Sequence, residues 1–392
     1  MADANVADAA DRAGQGGALQ LYVNGRFLTR RPTGVDRYAL EILSELDAML
    51  GRGDPALAGV TLTVLAPRGA RLPEGCGQAR LVEVGQRQGV LWEQFDLARA
   101  LPADGLLLSL CNTGPLWCER QVVVIHDATT ERVPAAYTRG FRLWYRLLLP
   151  LLGRRCRRVM TVSQFSRAEI AAVFGLDAAR IGVAGNGAEH MLRLRPDPTA
   201  LQRFGLRRPY ILAVSSMAAN KNFKLVLAAL AHLPDPPFDV AIAGGSNARV
   251  FGAAGGGGGE RVHWLGYVSD AELRALYDGA LGFVFPSLYE GFGIPPLEAM
   301  ACGCPVLASR AQPMPEVCGD GALYFSPDDP AALAALMSRL AAEPALRAEL
   351  VARGAARVKL YSWRQSALAL LSAARTAATA HSGKDRQMRS VN

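Results

Sequence analysis

The sequence contains no long apolar run and no hydrophobic leader. None of its 392 residues belongs to an apolar stretch long enough to cross a bilayer, and the opening MADANVADAADRAGQGG holds acidic residues and no apolar core of signal-peptide length. The seven cysteines are scattered and odd in number, which argues against a disulfide framework. We therefore expect a cytoplasmic chain in a reducing compartment.

Metal-binding patterns are missing as well. The chain carries no Asp-x-Asp motif, and Cys302 and Cys304 lie close together without a second pair of Cys or His residues to complete a zinc site. Asp328 and Asp329 are adjacent in a predicted loop, where we expect solvated charge. The sequence therefore predicts neither a metal ion nor a cofactor.

What the chain does contain is a regular alternation of strands and helices. This alternation predicts parallel sheets with βαβ crossovers, and the length suits two or three domains. A stretch rich in proline and arginine separates two such series and predicts a linker. The predicted parts are a disordered start at 1–18, a first domain at 19–196, a linker at 197–209, a second domain at 210–361, a helix at 362–379 and a disordered tail at 380–392.

The net charge of +8 is concentrated in one region. Residues 132–168 contain nine arginines and no lysine, aspartate or glutamate. Three interpretations stay open: the solvated face of a core helix, docking on an anionic cytoplasmic membrane surface through the region from Arg139 to Arg158, and nucleic-acid binding. We expect no nucleic-acid partner, because no recognition motif accompanies the charge.

The same region predicts a helix with two faces. Helical spacing places the apolar side chains on a core face and the arginines on the opposite face, and a proline near the end is expected to kink or end the helix. The apolar residues are Phe141, Trp144, Tyr145 and Leu148, the basic ones Arg139, Arg142 and Arg146, and the proline is Pro150.

The most informative segment runs from Phe283 to Ser309. It reads as a strand, a loop rich in glycine and proline that holds Glu290, a short helix that holds Glu298, and another strand. Gly291 and Gly293 lack Cβ atoms, so the backbone can bend sharply and approach a ligand. Helix N-terminal N–H groups beside two carboxylates predict a site for an anionic ligand.

The pattern of Glu290, seven residues and Glu298, with Gly-Phe-Gly inside it, resembles the signature of retaining nucleotide-sugar glycosyltransferases of family 4. The resemblance covers roughly residues 19 to 375. It implies an α/β fold of the GT-B type, with two Rossmann-like domains facing each other across a cleft and a C-terminal helix that crosses back to the first domain. The segments TGVDRY and NTGP look most like bacterial mannosyl- and rhamnosyltransferases of polysaccharide synthesis.

Lys221 is the predicted cation for the donor diphosphate. It follows a strand and a turn and begins a helix at the top of the second sheet, and a leaving diphosphate needs positioned positive charge. Similar enzymes place a lysine here with an arginine nearby, where this sequence has Asn220. Gly244 and Gly245 end another strand and suit close packing against the nucleotide.

The first half offers further cleft residues. His126 and Asp127 follow an apolar strand, and the resemblance implies that His126 contacts the donor sugar, while Asp127 is a predicted acceptor residue. Asn112 and Thr113, also after a strand, are acceptor candidates as well. Gly34, before a helix, matches the family's loop beneath the donor phosphates in shortened form. Ser163, Ser166 and Arg167 and the pair Asn186-Gly187 match segments that shape the cleft.

The resemblance also implies roles for the signature residues. Glu298 would accept hydrogen bonds from both ribose hydroxyls, and Glu290 would face the transferred sugar and stabilise charge at its anomeric carbon. The backbone of Gly291, Phe292, Gly293 and Ile294 would hold sugar and phosphate. We predict a retaining, metal-independent hexosyltransferase that moves a hexose or deoxyhexose from a nucleotide diphosphate sugar, with GDP-mannose as one donor, to a growing glycan or lipid-linked acceptor in polysaccharide biosynthesis. The alternatives are a nucleotide-sugar epimerase of the same fold and a non-catalytic nucleotide-sugar binding protein.

Overall fold

The computed structural model describes residues 18–30, 32–216, 218–244 and 261–389, the last ten of them by their backbone alone. The predicted disordered start therefore lies outside the described residues except for Ala18, and so does Gly245. The strands form two separate sheets, and every strand pairing in both sheets is parallel.

The first sheet has seven strands in the order β3-β2-β1-β4-β5-β6-β7. Its central strands β4 and β5 are buried along their whole length, as expected when helices cover both faces of a parallel sheet. The sequence patterns predicted these strands apart from β3. The strands are β1 (Leu19–Asn24), β2 (Val60–Ala66), β3 (Arg80–Glu83), β4 (Leu106–Ser109), β5 (Gln121–Val124), β6 (Arg158–Thr161) and β7 (Ile181–Val183).

The second sheet has six strands in the order β10-β9-β8-β11-β12-β13. In both sheets the chain adds strands outward from the first one and then returns to the other side of it, so β1 borders β4 and β8 borders β11. Such a reversal opens a crevice at the carboxyl ends of the two bordering strands. The strands are β8 (Tyr210–Val214), β9 (Asp239–Ala243), β10 (Val262–Gly266), β11 (Gly282–Phe285), β12 (Val306–Ser309) and β13 (Ala322–Phe325).

Helices connect the strands and cover both sheets. Short helices also occur in the connections, one of them inside the predicted linker. A further helical segment spans residues 89–100 and contains a π-helix at Trp92–Leu97. The helices are α1 (Gly34–Gly51), α2 (Thr129–Arg132), α3 (Arg139–Arg155), α4 (Gln164–Phe174), α5 (Glu189–Arg193), α6 (Ala200–Arg203), α7 (Phe223–Ala231), α8 (Asp270–Gly279), α9 (Ile294–Ala301), α10 (Met314–Cys318), α11 (Pro330–Ala342), α12 (Pro344–Val358) and α13 (Trp363–Arg389).

Helix α3 is the predicted basic helix, but its buried face differs from the predicted one. Leu148, Leu149 and Leu152 are buried, whereas Phe141 and Trp144 are 40% and 37% exposed. The expected core face was therefore wrong for its first half. The helix also does not end at its proline, because Pro150 lies inside it.

Helix α13 returns from the second half of the chain to the first. It packs against α1 and against β4, β5 and β6, so the contact predicted for this helix is present in the structure. Its backbone stays helical to Arg389, ten residues beyond the predicted end at 379. Among the helices that the structure describes, none combines the length and apolar character needed to span a membrane.

Candidate functional site

The crevice of the second sheet brings the two principal candidates together. Lys221 follows β8 and Glu290 follows β11, the two strands that border each other at the chain reversal. Their side chains form an ion pair, with 2.6 Å between Lys221 Nζ and Glu290 Oε1. The side chains are 19% and 15% exposed, so the pair remains accessible from the crevice.

A second donor orients the Glu290 carboxylate. Ser287 donates its hydroxyl to the same oxygen, Oε1, at 2.5 Å, and its own side chain is buried. Within the described part of the chain, both contacts of this carboxylate use Oε1, which leaves Oε2 for a ligand hydroxyl. The sequence prediction missed Ser287, although its position three residues before Glu290 could have suggested it.

Asn220 holds the loop that carries Glu290. Its backbone carbonyl accepts the N–H of Leu288 at 2.7 Å and lies 3.1 Å from Ser287 Oγ, whose single proton is donated to Glu290, and its side-chain amide donates to the carbonyl of Tyr289 at 3.3 Å. Asn220, which stands where similar enzymes have an arginine, is therefore a buried residue that supports the Glu290 loop through hydrogen bonds. Among the described residues, Lys221 is the cation that forms an ion pair with Glu290.

The glycine loop after Glu290 docks on the first half of the chain. The carbonyl of Gly291 accepts hydrogen bonds from Ser163 Oγ at 2.6 Å and Ser166 Oγ at 2.8 Å. A Cβ at position 291 would lie 2.5 Å from the carbonyl oxygen of His126 and 3.0 Å from Asp127 Cβ. Glycine is therefore required here by close contact between the halves, and Ser163 and Ser166 form part of that contact.

The next three residues complete the start of α9. Phe292 is buried and its ring meets the ring of Tyr361 edge-on, with 5.5 Å between centroids. Gly293 has a φ of +81°, a conformation that favours glycine, and Ile294 begins the helix. The predicted donor-binding backbone thus lies beside the ion pair, with the N-terminus of α9 behind it.

His126 is a buried neutral imidazole in this arrangement. Its Nε2 lies 2.8 Å from the carbonyl oxygen of Leu110, which can only accept, so Nε2 carries the proton and Nδ1 is the acceptor. Burial lowers the pKa of His126 below its ordinary value of 6.5. The ring packs edge-on against Tyr38, with 4.9 Å between centroids. The structure therefore favours a hydrogen-bonding role for this residue over proton donation as a cation.

The three predicted acceptor residues already bind partners within the chain. Asn112, at a positive φ of 66°, accepts the N–H of His126 at 2.7 Å, and Asp127 accepts the N–H of Thr129 at 2.7 Å. The Thr113 hydroxyl lies 3.1 Å from Glu93 Oε1. Each of these side chains thus has a partner within the chain, and its contact with an acceptor stays a prediction.

Glu93 is the centre of a buried polar cluster that the sequence prediction missed. Besides Thr113, its carboxylate accepts hydrogen bonds from Asn24 Nδ2 and Arg26 Nη1, both at 2.9 Å. These residues meet where β1 borders β4, the chain reversal of the first sheet. Glu93 lies on a π-helix, and such turns often occur at functional sites. No spacing rule connects Glu93 with the residues at the carboxyl end of β1.

Glu298 lies deeper than Glu290 and contacts the first half. Its side chain is 8% exposed, and Oε1 lies 2.9 Å from Nε2 of His190, a residue of α5. Its other oxygen, Oε2, lies 3.4 Å from the hydroxyl of Tyr277, which is equally far from the carbonyl oxygen of Pro295. Burial next to Glu298 raises the pKa of Tyr277. His190 and Tyr277 were not predicted as site residues.

An ion pair between the halves lies near this contact. Arg37 of α1 donates to both oxygens of Asp270 on α8, at 2.5 and 2.6 Å. Burial alone would lower the pKa of Arg37, but Asp270, with Glu298 and Glu41 nearby, raises it. The two halves are thus joined on the Glu298 side of the crevice as well as at Gly291.

The two remaining glycine predictions have different outcomes. Among the described residues, no heavy atom lies within 4 Å of a Cβ placed at Gly34. Gly244 has a φ of +113°, and a Cβ there would lie 2.0 Å from the carbonyl oxygen of Ser215. Glycine at position 244 is therefore required by the protein backbone itself, and its contact with a nucleotide stays a prediction.

A basic and apolar surface extends away from the site along α3. Leu143, Leu147 and Leu151 are 60%, 56% and 46% exposed and lie one turn apart. The same line continues to Arg155, whose guanidinium stacks on Trp117 at 4.9 Å from the ring centroid. Beyond Trp117 a groove of about 600 Å³ opens at the amino ends of β4, β5 and β6, and its lining includes Phe95, Arg99, Arg120 and Arg157.

Comparisons with known proteins are consistent with this geometry. A family model described as glycosyl transferases group 1 matches residues 201–357. The chain is 32% identical over 256 residues to the O-antigen chain mannosyltransferase B of Escherichia coli, covering 62% of this chain and 67% of that relative. The region that matches the family model holds Lys221, Glu290 and Glu298.

Solved structures resemble the whole chain in fold. Sucrose-phosphate synthase from Thermosynechococcus elongatus superposes with a TM-score of 0.68 at 19% sequence identity. The superposition covers 96% of this chain and 100% of the synthase chain. Anabaena HepE in complex with UDP and glucose gives 0.65 at 17% identity, over 89% and 97% of the two chains. These likenesses confirm the predicted pair of Rossmann-like domains.

Proposed function

This chain belongs to the glycosyl transferases of group 1 with a GT-B fold, and on that premise we propose that it moves a hexose from a nucleoside diphosphate sugar to a growing glycan. The observation that carries the proposal is the contact of Lys221 with Glu290 beside the loop at which the two halves meet. Charge for the leaving group and a carboxylate for the sugar are thus placed together.

Glu290 and Lys221 have separate roles in the transfer step. Glu290 Oε2 binds a hydroxyl of the sugar, and its negative charge stabilises the anomeric carbon as positive charge develops there. Lys221 has three ammonium protons, of which one contacts Glu290, so the others are available to the diphosphate. Backbone N–H groups of the loop from Gly291 to Ile294 add to this stabilisation.

The reaction retains the anomeric configuration in this proposal. The bond from the anomeric carbon to the phosphate oxygen breaks, and a bond to the acceptor hydroxyl forms on the same face. The departing diphosphate takes the hydroxyl proton. His126 contributes the acceptor atom Nδ1 to the sugar, and Glu298 receives the ribose hydroxyls. Transfer without a metal ion belongs to the same proposal and requires that activity survives a chelator.

The donor sugar is mannose, supplied as GDP-mannose, and the product is a polysaccharide. The similarity to an O-antigen mannosyltransferase over the matched 256 residues supports this choice. A lipid-linked acceptor fits the exposed leucines and arginines of α3, which we assign to peripheral binding at the cytoplasmic face of an anionic membrane. The surface starts at Tyr137 and Phe141, whose rings stack at 5.4 Å, and continues toward Trp117.

The test is a donor panel with and without acceptor. Purified enzyme is incubated with GDP-mannose, UDP-glucose and dTDP-rhamnose, alone and with a lipid-linked glycan extract, and release of the nucleoside diphosphate is measured in the presence of EDTA. We expect GDP release from GDP-mannose that rises with acceptor, and an α-linked product by NMR. An epimerase would return an isomeric nucleotide sugar, and a binding protein would release nothing. Either result would overturn the assignment.

A further inference from the structure

We propose that His190 is a positioning residue, which fixes the Glu298 carboxylate in the orientation that receives the donor ribose. The inference rests on the role of Glu298 in the proposed function. His190 lies in the first half of the chain and Glu298 in the second, and 2.9 Å separate Nε2 from Oε1. Both side chains are more than nine-tenths buried.

Trp363 determines which imidazole nitrogen carries the proton. Its indole N–H is a donor only and lies 3.3 Å from His190 Nδ1, so this nitrogen has to accept. The proton of the neutral ring is then on Nε2 and points at Glu298. Trp363 is itself held by its backbone N–H, which donates to the Glu189 carboxylate at 3.2 Å. These contacts hold the His190 imidazole in the orientation in which Nε2 donates its proton to Glu298.

Glu298 keeps capacity for a ligand in this arrangement. A carboxylate offers about four acceptor positions. Among the described residues, His190 uses one on Oε1, and the Tyr277 hydroxyl uses at most one on Oε2. One position per oxygen remains, which matches two neighbouring hydroxyls of a ribose. Hydrogen bonds are strong in a buried environment of low dielectric constant. Rotation of the Glu298 carboxylate would break its hydrogen bonds inside the protein, so its orientation is stable.

The arrangement makes the ribose subsite depend on both halves. The imidazole comes from α5, the carboxylate from α9, and the indole from the first residue of α13, the helix that crosses back to the first sheet. Movement of the halves would separate His190 from Glu298. Glu298 is therefore oriented to receive the nucleotide ribose when the two halves are in contact.

The test compares ribose with deoxyribose on the same variants. Dissociation constants of GDP, UDP and their 2′-deoxy counterparts are measured by calorimetry for the wild type, Glu298→Ala, His190→Phe and His190→Gln. For the nucleotide that binds, we expect the wild type to prefer ribose by about 10- to 100-fold, as for a hydrogen bond to a charged group. Glu298→Ala should abolish this preference, and His190→Phe should reduce it to about threefold or less.

His190→Gln is the matched variant, because its amide nitrogen can donate where Nε2 donates, and it should recover most of the ribose preference. The preference compares two ligands on the same folded molecules, so a lower melting temperature in a variant does not affect it. An unchanged preference in His190→Phe, with the preference lost in Glu298→Ala, overturns the role of His190 alone. An unchanged preference in Glu298→Ala overturns the ribose role of Glu298 in the proposed function.

Discussion

At the scale of single residues, the proposed function gives two neighbouring charges, Lys221 and Glu290, different roles. The Glu290 carboxylate contacts both Lys221 and Ser287 through Oε1, so the ammonium and the hydroxyl fix the direction in which Oε2 faces. In the proposed function, Lys221 binds the leaving group in the ground state and in the transition state. Glu290 matters most when charge develops on the sugar.

Substitution of the two residues should therefore change different kinetic constants. Glu290→Gln keeps the shape and removes the charge, so we expect kcat to fall by roughly 10²- to 10³-fold with little change in donor affinity. Lys221→Ala should weaken GDP binding by about 10- to 100-fold in addition to its effect on kcat. Steady-state kinetics and calorimetry separate the two effects.

Lys224→Ala is the control for Lys221, because Lys224 is exposed and lies one helical turn away on α7. It should retain wild-type affinity and rate. Near-wild-type constants in both Glu290→Gln and Lys221→Ala would contradict the site.

The sequence could predict these two residues because local signals place them. Each follows an apolar strand and begins or precedes a helix, and the order of the strands then brings the two ends together. His190 had no such signal, since it contacts a residue 108 positions away across the two halves. Glu93 likewise meets Asn24 over 69 positions. Contacts of this kind depend on how the domains dock, which periodicity does not encode.

At the scale of elements, α3 explains why one prediction was wrong. Its sequence RGFRLWYRLLLPLLGRR is apolar around most of its circumference in the second half, so the pattern does not determine which leucines face the core. The structure buries Leu148 and Leu152 and leaves Leu147 and Leu151 exposed. Of the arginines from Arg139 to Arg158, Arg155 alone forms an ion pair within the described residues, with Glu119 at 3.5 Å.

The exposed face of α3 should insert into anionic membranes. We expect the triple substitution of Leu143, Leu147 and Leu151 by serine to lower partitioning onto vesicles of phosphatidylglycerol and phosphatidylethanolamine by at least about tenfold, because each buried leucine contributes about 1.5–3 kcal/mol. Folding should be little affected, since these side chains are already exposed. Co-sedimentation with vesicles measures the partitioning.

The matched control is Leu192→Ser with Leu360→Ser, which removes exposed leucines of 55% and 59% outside α3. The control should bind vesicles as the wild type does. Raised salt should weaken vesicle binding by the control and by the wild type, because the arginines contribute to it electrostatically. Release of GDP from GDP-mannose without acceptor should be the same in all variants. Equal vesicle binding by the triple variant would reject the membrane role of α3.

At the scale of the whole molecule, the structure shows the two halves in contact around the site. Ser163 and Ser166 hold the carbonyl of Gly291, and Arg37 holds Asp270 on the other side of the crevice. Arrival of the donor and departure of the nucleotide require access to this crevice. Opening and closing of the halves is thus expected to accompany each turnover.

Gly291→Ala should keep the halves apart. The new Cβ would lie 2.5 Å from the His126 carbonyl oxygen, a backbone atom that cannot move aside as a flexible side chain would. Each half can still fold, because the conflict lies between them. We expect a larger radius of gyration in solution scattering and a kcat lower by about 10²-fold, since a displaced catalytic group costs that much. Gly140→Ala is the control, because a Cβ there meets no heavy atom of the residues that the structure describes within 4 Å, and it should match the wild type in both measurements. A Gly291→Ala variant with wild-type dimensions and rate would show that the contact between the halves is dispensable for transfer.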